Sequence, residues 1–488
     1  TRQSPGQEIT ESLVITVNLS FSSICCTSAP ELALAGLSRP DLCRYAGALV
    51  LASPILPSAT RYLPMLSTVR SLAALLCAAA LLLAGGGLQT TLLALRATIE
   101  GFPTWLVGML FSAYSVGFMA GCIYVPRLLR AVGHIRVFAA LAAITAAAAV
   151  VYMLVIGPVS WMFLRAINGF CFAGLSMVIE SWLNERAENQ SRGRLLGIYR
   201  MVDLGSTTVG QLLLAAGNPA HHELFSLISV LISLAVVPVA LTRSAVPAPV
   251  AELHVDLRRL YHVSPLAIVA TFGVGLSNGA FWALAPVFVR AQGLSPQNVA
   301  WFMTAAVIAG ACAQFPVGWL SDRIDRRTTL VGFVMLASLA SLFLAYSHGD
   351  AGMRLFVGAA LFGATAMPIY GLAIAHANDA AQRGEFVRVS SGLLLGYSSG
   401  AVIGPIIAGW LMMLLGAQAL FVHTALVEAA LVLFGLYRMT RRPARPAVGR
   451  PEFISLPPTS PQVYSLDPRA GELGEETPSP QSTKNSAA

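Results

Sequence analysis

The sequence predicts an all-α membrane protein whose twelve transmembrane helices form two pseudo-symmetric six-helix bundles. Three observations carry that expectation. The mean hydropathy is +0.69, with 56% of the 488 residues hydrophobic and 11% charged, well outside soluble usage. Mostly apolar stretches of the ~20 residues needed to cross a ~30 Å hydrocarbon core recur from Ser71 to Tyr437 between short polar breaks. A longer polar segment from Arg243 to Val263, containing "ELHVDLRRLYH", divides them six and six.

The first run, Ser71 to Leu95, follows a short basic start after Met65, the first methionine in the chain. Its apolar pattern continues through Leu92 to Leu95, which favours a membrane helix over a cleaved leader. Thr104 to Leu129 and Val137 to Gly157 are rich in Ala, Val and Gly, whereas Trp161 to Leu183 and Arg194 to Ala216 carry charge inside the run; Leu224 to Leu241 completes the first half. The second half comprises Pro265 to Val289, Val299 to Leu320, Thr328 to Tyr346, Leu355 to His376, Val389 to Met412 and Ala417 to Tyr437. None of these runs alternates with period two, which argues against barrel strands. The expected organisation is an N-terminal extension at 1–64, disordered and of doubtful standing, a first bundle at 65–243, a linker at 244–263, a second bundle at 264–438 and a disordered tail at 439–488 rich in Pro, Ser, Arg and Glu.

Arginine sets the orientation. Breaks after runs 2, 4, 6, 8 and 10 hold Arg127, Arg130, Arg136, Arg186, Arg192, Arg243, Arg258, Arg323, Arg326 and Arg383 among others, and the opposite breaks little more than Arg96, Arg290 and Arg354. Positive charge is retained inside, so both termini are expected in the cytoplasm. The formal net charge of +8 is thus a product of topology, and no basic soluble module with interleaved aromatics speaks for nucleic-acid binding. Cys77, Cys122, Cys171 and Cys312 sit in apolar runs and His221–His222 lacks further ligands, so no metal site is expected. No nucleophile–base pair appears at a shared depth, which argues against an enzyme.

Duplication has left traces. Gly197, Gly205 and Gly210 match Gly396, Gly404 and Gly409 at an offset of 199, while Asn184–Glu185 and Asn378–Asp379 match at 194. Between runs 8 and 9, "GWLSDRIDRR" holds five charges in ten residues. Its pattern of Gly318, Asp322, Arg323, Asp325, Arg326 and Arg327 resembles the G-x-x-x-D-R-x-G-R-R loop of the major facilitator superfamily. The equivalent first-half stretch, "PRLLRAVGHIR", places Pro126 and Arg130 where the glycine and aspartate belong. The resemblance implies that Asp322 faces the start of the fifth helix near Gly193 and works as a cytoplasmic gate, so that Asp322→Asn shifts the balance between access states.

Charges inside a membrane cost ~2.5–3.5 kcal/mol on insertion scales and are functional by default. Arg165, with Asn168 and Gly169, resembles the superfamily's R-x-x-x-G motif of proton-coupled members. Glu180, Arg200 and Asp203 lie near the cytoplasmic rim, where Glu180 and Arg200 reach similar depth for pairing; Arg165 lies about 22 Å further along the same helix. Asp203 or Glu180 is the expected protonatable site, against a static ion pair joining helices 4 and 5. His376 and Asp379, three apart at the end of run 10, are a further coupling candidate or a capped helix end. The resemblance implies a central cavity, for which polar and aromatic residues at mid-depth are candidates: Gln89, Tyr114, Asn168, Asn278, Trp282, Gln314, Tyr370 and Tyr397. "ESWLNERAENQSRGR", "AHAND" and "GAVIGP" are similar to the bacterial YcaD-like subgroup. What this implies is a monomeric transporter in the bacterial inner membrane, moving a small solute by alternating access with a proton gradient and no other cofactor. A non-transporting sensor or scaffold on the same fold is the alternative.

Overall fold

The computed structural model describes residues 63–186, 192–241, 257–347, 352–381, 385–441 and 453–467. The described residues from Ser71 onward belong to one compact unit. The expectations for residues 1–62, and for most of the linker and tail, fall outside the described residues.

The first half comprises α1 (Leu63–Ile99), α2 (Thr104–Val132), α3 (His134–Leu154), α4 (Pro158–Arg186), α5 (Arg192–Leu213), which ends in a 3-10 turn at Leu214–Ala216, and α6 (Glu223–Ala240). A short helix in the linker, α7 (Leu257–Val263), leads to α8 (Pro265–Ala291), α9 (Pro296–Arg323), α10 (Arg326–Ala345), α11 (Met353–Ala366), α12 (Ile369–Asn378), α13 (Phe386–Leu415) and α14 (Ala419–Arg441). Each of the twelve predicted runs is helical. Run 10 is divided into α11 and α12 at Met367–Pro368, where proline supplies no N–H and disfavours helix in the residue before it. Among the described residues, eleven crossings are long and apolar enough to span a membrane, with Met353–Asn378 as one. The twelfth, α5, has 22 residues, or ~33 Å; Arg200 and Asp203 within it account for its lower hydropathy. Large apolar side chains such as Phe163, Phe315 and Leu433 face outward, where lipid belongs.

The two halves repeat one packing scheme. In the first, α2 packs on α4 and α3 on α6; in the second, α9 packs on α11 and α10 on α14. The glycines show the register of the repeat. A Cβ on Gly210 of α5 would lie 2.3 Å from the Ala84 carbonyl oxygen of α1, and one on Gly404 of α13 would lie 2.2 Å from the Leu276 carbonyl oxygen of α8. These glycines stand 194 positions apart, the offset of the Asn-Glu and Asn-Asp pairs. The offset of 199 is therefore corrected: Gly197 and Gly205 face open space and are not packing equivalents of Gly396 and Gly404.

Across the halves, α2 packs against α13 and α5 against α9. At the end remote from the arginine-rich loops the first of these seams is tight. Thr104 Oγ1 donates to the Gly409 carbonyl at 3.0 Å, Ser112 Oγ to the Val402 carbonyl at 2.6 Å, and Trp105 stacks on Trp410 at 5.5 Å. Gly108 has no room for a methyl group beside Pro405.

Candidate functional site

Two adjoining lobes occupy the interior between the halves. The first, about 220 Å³, is bounded by Gln89, Thr90, Tyr114, Arg165, Gln211 and Trp282 with apolar walls from Leu83, Phe111 and Phe172. The second, about 190 Å³, shares Leu83, Phe111, Tyr114 and Phe172 and continues to Ser176, Tyr397, Ser398, Pro458 and Thr459. Of the residues expected at mid-depth, Gln89, Tyr114, Trp282 and Tyr397 line these lobes. Gln314 and Tyr370 face a segment of the tail instead, as described below. Asn168 is turned away, donating to Tyr152 Oη at 3.4 Å within the first half. Asn278 is buried on α8 but lines neither lobe.

The charged residues divide into paired and unpaired. Arg200 binds Asp203 one turn along α5 and also reaches Gln314 Oε1 of α9 at 3.4 Å. The expected Glu180–Arg200 pair does not form, because Arg200 folds along its own helix. Glu180, fully buried on α4, accepts instead from three hydroxyls: Tyr199 at 3.1 Å, and Thr459 and Ser460 of the tail. Arg165, 4% exposed, lies with its guanidinium 5.5 Å from the centre of the Tyr114 ring. Its Nε and the Gln89 Nε2 are buried without a hydrogen-bond partner.

The expectation of a disordered tail is corrected at residues 453–467. Phe453 fits against Gly318 of α9 and Gly371 of α12, two positions where a side chain would crowd its ring. Its N–H donates to Asp322 Oδ2 at 3.0 Å, and Ser455 Oγ to Gln314 Oε1 at 2.5 Å. A 3-10 turn, Pro461–Leu466, follows, with Ser460 accepting from the Gln462 N–H at 3.1 Å. Leu456, Val463, Tyr464 and Leu466 are buried, and Tyr464 shares a 2.5 Å hydrogen bond with Tyr370 Oη. Burial, reinforced by the neighbouring Tyr370, pushes the Tyr464 phenol well above its ordinary range, so this contact stays neutral. Pattern gave little warning, since the apolar residues of the segment are scattered among prolines and serines without helical or strand period.

The loop motif serves a different geometry from the expected one. Arg326, 1% exposed, binds Asp322 at 2.9 Å and Asp379 at 2.7 Å, and donates to the Ala375 carbonyl at 3.3 Å. The hub ties α9, α10 and α12 together inside the second half. Asp322 thus faces Arg326 and the tail rather than the start of α5. Asp325 is the N-cap of α10, accepting from the Arg327 N–H at 3.0 Å, and its carboxylate also pairs with the Arg327 guanidinium. Arg323 lies over the Trp319 ring at 3.7 Å. Asp379 pairs with Arg326, and His376 is half-buried one turn before it. One buried carboxylate escaped the reading of charged residues: Glu428 of α14 accepts from Ser277 at 2.8 Å and Ser341 at 2.9 Å, joining three helices. Its signal was plain, an acid in the middle of the last apolar run. Among the described residues no cluster of His, Cys, Asp and Glu is arranged to hold a metal ion.

Comparison with known proteins agrees with this architecture. Residues 267–469 match the family model described as Major Facilitator Superfamily, and residues 56–241 match that described as Sugar (and other) transporter. An uncharacterized MFS-type transporter of Enterobacter sp. (strain 638) is 30% identical over 379 residues, covering 76% of this chain and 96% of that one. An uncharacterized MFS-type transporter, YcaD, of Escherichia fergusonii is 28% identical, covering 73% and 92%. The crystal structure of the nucleoside transporter NupG superposes with a TM-score of 0.65 at 14% identity, covering 76% and 99%.

Proposed function

The chain belongs to the major facilitator superfamily, and on that premise we propose that it is a proton-coupled secondary transporter carrying a small solute across the bacterial inner membrane by alternating access. The observation that carries the reading is the cavity between the halves: helices shut it at the Thr104–Gly409 end, and at the other end the tail segment is its boundary. By the arginine distribution the tail lies at the cytoplasmic end and both termini are cytoplasmic, which makes this an inward-facing arrangement. The sensor alternative gains no specific observation.

Glu180 is our coupling residue. A carboxylate held by Arg200, as Asp203 is, must break an ion pair before it takes a proton. Glu180 is surrounded by hydroxyls, which can serve as donors to the carboxylate or acceptors from the acid.

The test is reconstitution of the full chain into liposomes loaded with a pH-sensitive dye, under an imposed pH gradient. Solutes are presented in chemical classes. The expected result is solute-dependent proton movement, with labelled solute accumulating only while the gradient lasts. Proton traces identical to those of empty liposomes for every class would overturn the reading.

A further inference from the structure

The lobe around Arg165 has a one-sided chemistry. Thr90 Oγ1 donates to the Gly86 carbonyl, and Gln211 is engaged at both ends, accepting from Thr91 at 2.5 Å and donating to the Gly87 carbonyl at 3.3 Å. Two buried donors in this lobe have no hydrogen-bond partner, Arg165 Nε and Gln89 Nε2, each on a residue at least nine-tenths buried. No acidic residue is among the described residues lining either lobe. A buried guanidinium without a carboxylate carries a desolvation cost that one contact with a tyrosine ring offsets only in part. Around these donors the walls are flat and apolar: Phe111, Tyr114, Phe172 and Trp282.

Resting on the transport reading above, we propose that this lobe is the substrate site and that its substrate is a small organic anion, a carboxylate or sulfonate on an apolar or aromatic body. Arg165 and Gln89 take the anionic oxygens, and the aromatic walls take the body. The site gives an organic cation no counter-charge and leaves a neutral solute facing an uncompensated guanidinium.

Binding of benzoate and benzenesulfonate to the full chain in nanodiscs, followed by Trp282-dependent fluorescence and equilibrium dialysis, tests this without requiring flux. Benzamide and benzylamine are the neutral and cationic matches. Both anions are expected to bind at least tenfold tighter than either control, with Arg165→Gln removing that preference and Arg165→Lys keeping part of it. Equal binding of benzamide and benzoate, or an unaltered preference in Arg165→Gln, overturns the proposal. Flux of a neutral or cationic solute without anion binding would sink the anion site and leave the transporter standing. Anion binding without flux of any solute would do the reverse.

A separate observation carries a second inference. Residues 453–467 bond to both halves at once, to Glu180 on α4 and to Gln314, Asp322 and Tyr370 on α9 and α12. Drawing the halves together at this end needs the volume the segment fills. We infer that Phe453–Asp467 is a removable plug that holds the carrier in one access state and covers Glu180 while it is seated. Its bonds to Gln314, Asp322 and Tyr370 are single hydrogen bonds from a segment outside the bundle, which suits release.

Removal of residues 442–488 is expected to raise initial solute flux severalfold in proteoliposomes, and a synthetic peptide of residues 453–467 supplied on the tail side is expected to lower it again. Phe453→Asp with Tyr464→Ala in the full chain, which leaves the rest of the tail intact, should match the truncation. Equal or slower flux in the double variant, at an unchanged melting temperature, overturns the plug. So does a peptide without effect on the truncated protein.

Discussion

Glu180→Gln is expected to reduce gradient-driven solute accumulation to the level of empty liposomes while exchange of labelled for unlabelled solute continues. The two measurements separate coupling from carriage. Glutamine keeps the shape of the side chain and one acceptor oxygen, and the hydroxyls of Tyr199, Thr459 and Ser460 can rotate to accept from its amide. The fold around position 180 is therefore retained, and what is lost is the capacity to take up and release a proton. Exchange needs no net proton movement, so it survives. Asp203→Asn is the contrasting variant: it strips Arg200 of its ion-pair partner and should lower stability before it alters coupling. If Glu180→Gln accumulates solute against the gradient as the parent does, the coupling site lies elsewhere, with Glu428, another buried carboxylate bonded by hydroxyls, the next to test.

Much of the bundle was legible because its physics is local. An apolar run of membrane length has few alternatives to a helix, and arginine asymmetry depends on the loops alone. Gln89, Tyr114, Trp282 and Tyr397 line the lobes: the resemblance implied the cavity, and their depth along each helix is countable from its ends. Pairing was not legible in the same way. Glu180 and Arg200 lie at matched depth, yet depth says nothing of rotation about the helix axis, and Asp203 at three residues' separation offered Arg200 a nearer partner. Asn168 failed for the same reason, facing Tyr152 instead of the cavity. The tail failed for another. Its segment has no periodic pattern of its own and is ordered by a surface that exists only once twelve helices have assembled. Phe453 finds its place because Gly318 and Gly371, far apart in sequence, leave a slot between them.

Gly318 and Asp322 show how a motif can be recognised correctly and its geometry misread. The resemblance implied a gate between the halves, whereas Asp322 is drawn into a hub centred on Arg326, with Asp379 as the second carboxylate. That geometry gives the larger stability prediction. Arg326→Met leaves two carboxylates facing each other around an apolar side chain and is expected to cost about 3 kcal/mol, near the lower end for breaking a buried pair because Asp322 is 31% exposed and water relieves part of the charge. Arg323→Ala removes a guanidinium that lies over the exposed Trp319 ring, outside the hub, and should cost within ~1 kcal/mol. Unfolding of both variants in detergent, followed by tryptophan fluorescence, measures the difference. Adding Asp322→Asn and Asp379→Asn to Arg326→Met removes the stranded charges and should restore a large part of the loss. If Arg326→Met unfolds like Arg323→Ala, the hub contributes nothing that water does not supply. If the triple variant is less stable than Arg326→Met alone, the two carboxylates were never the burden that this geometry makes them.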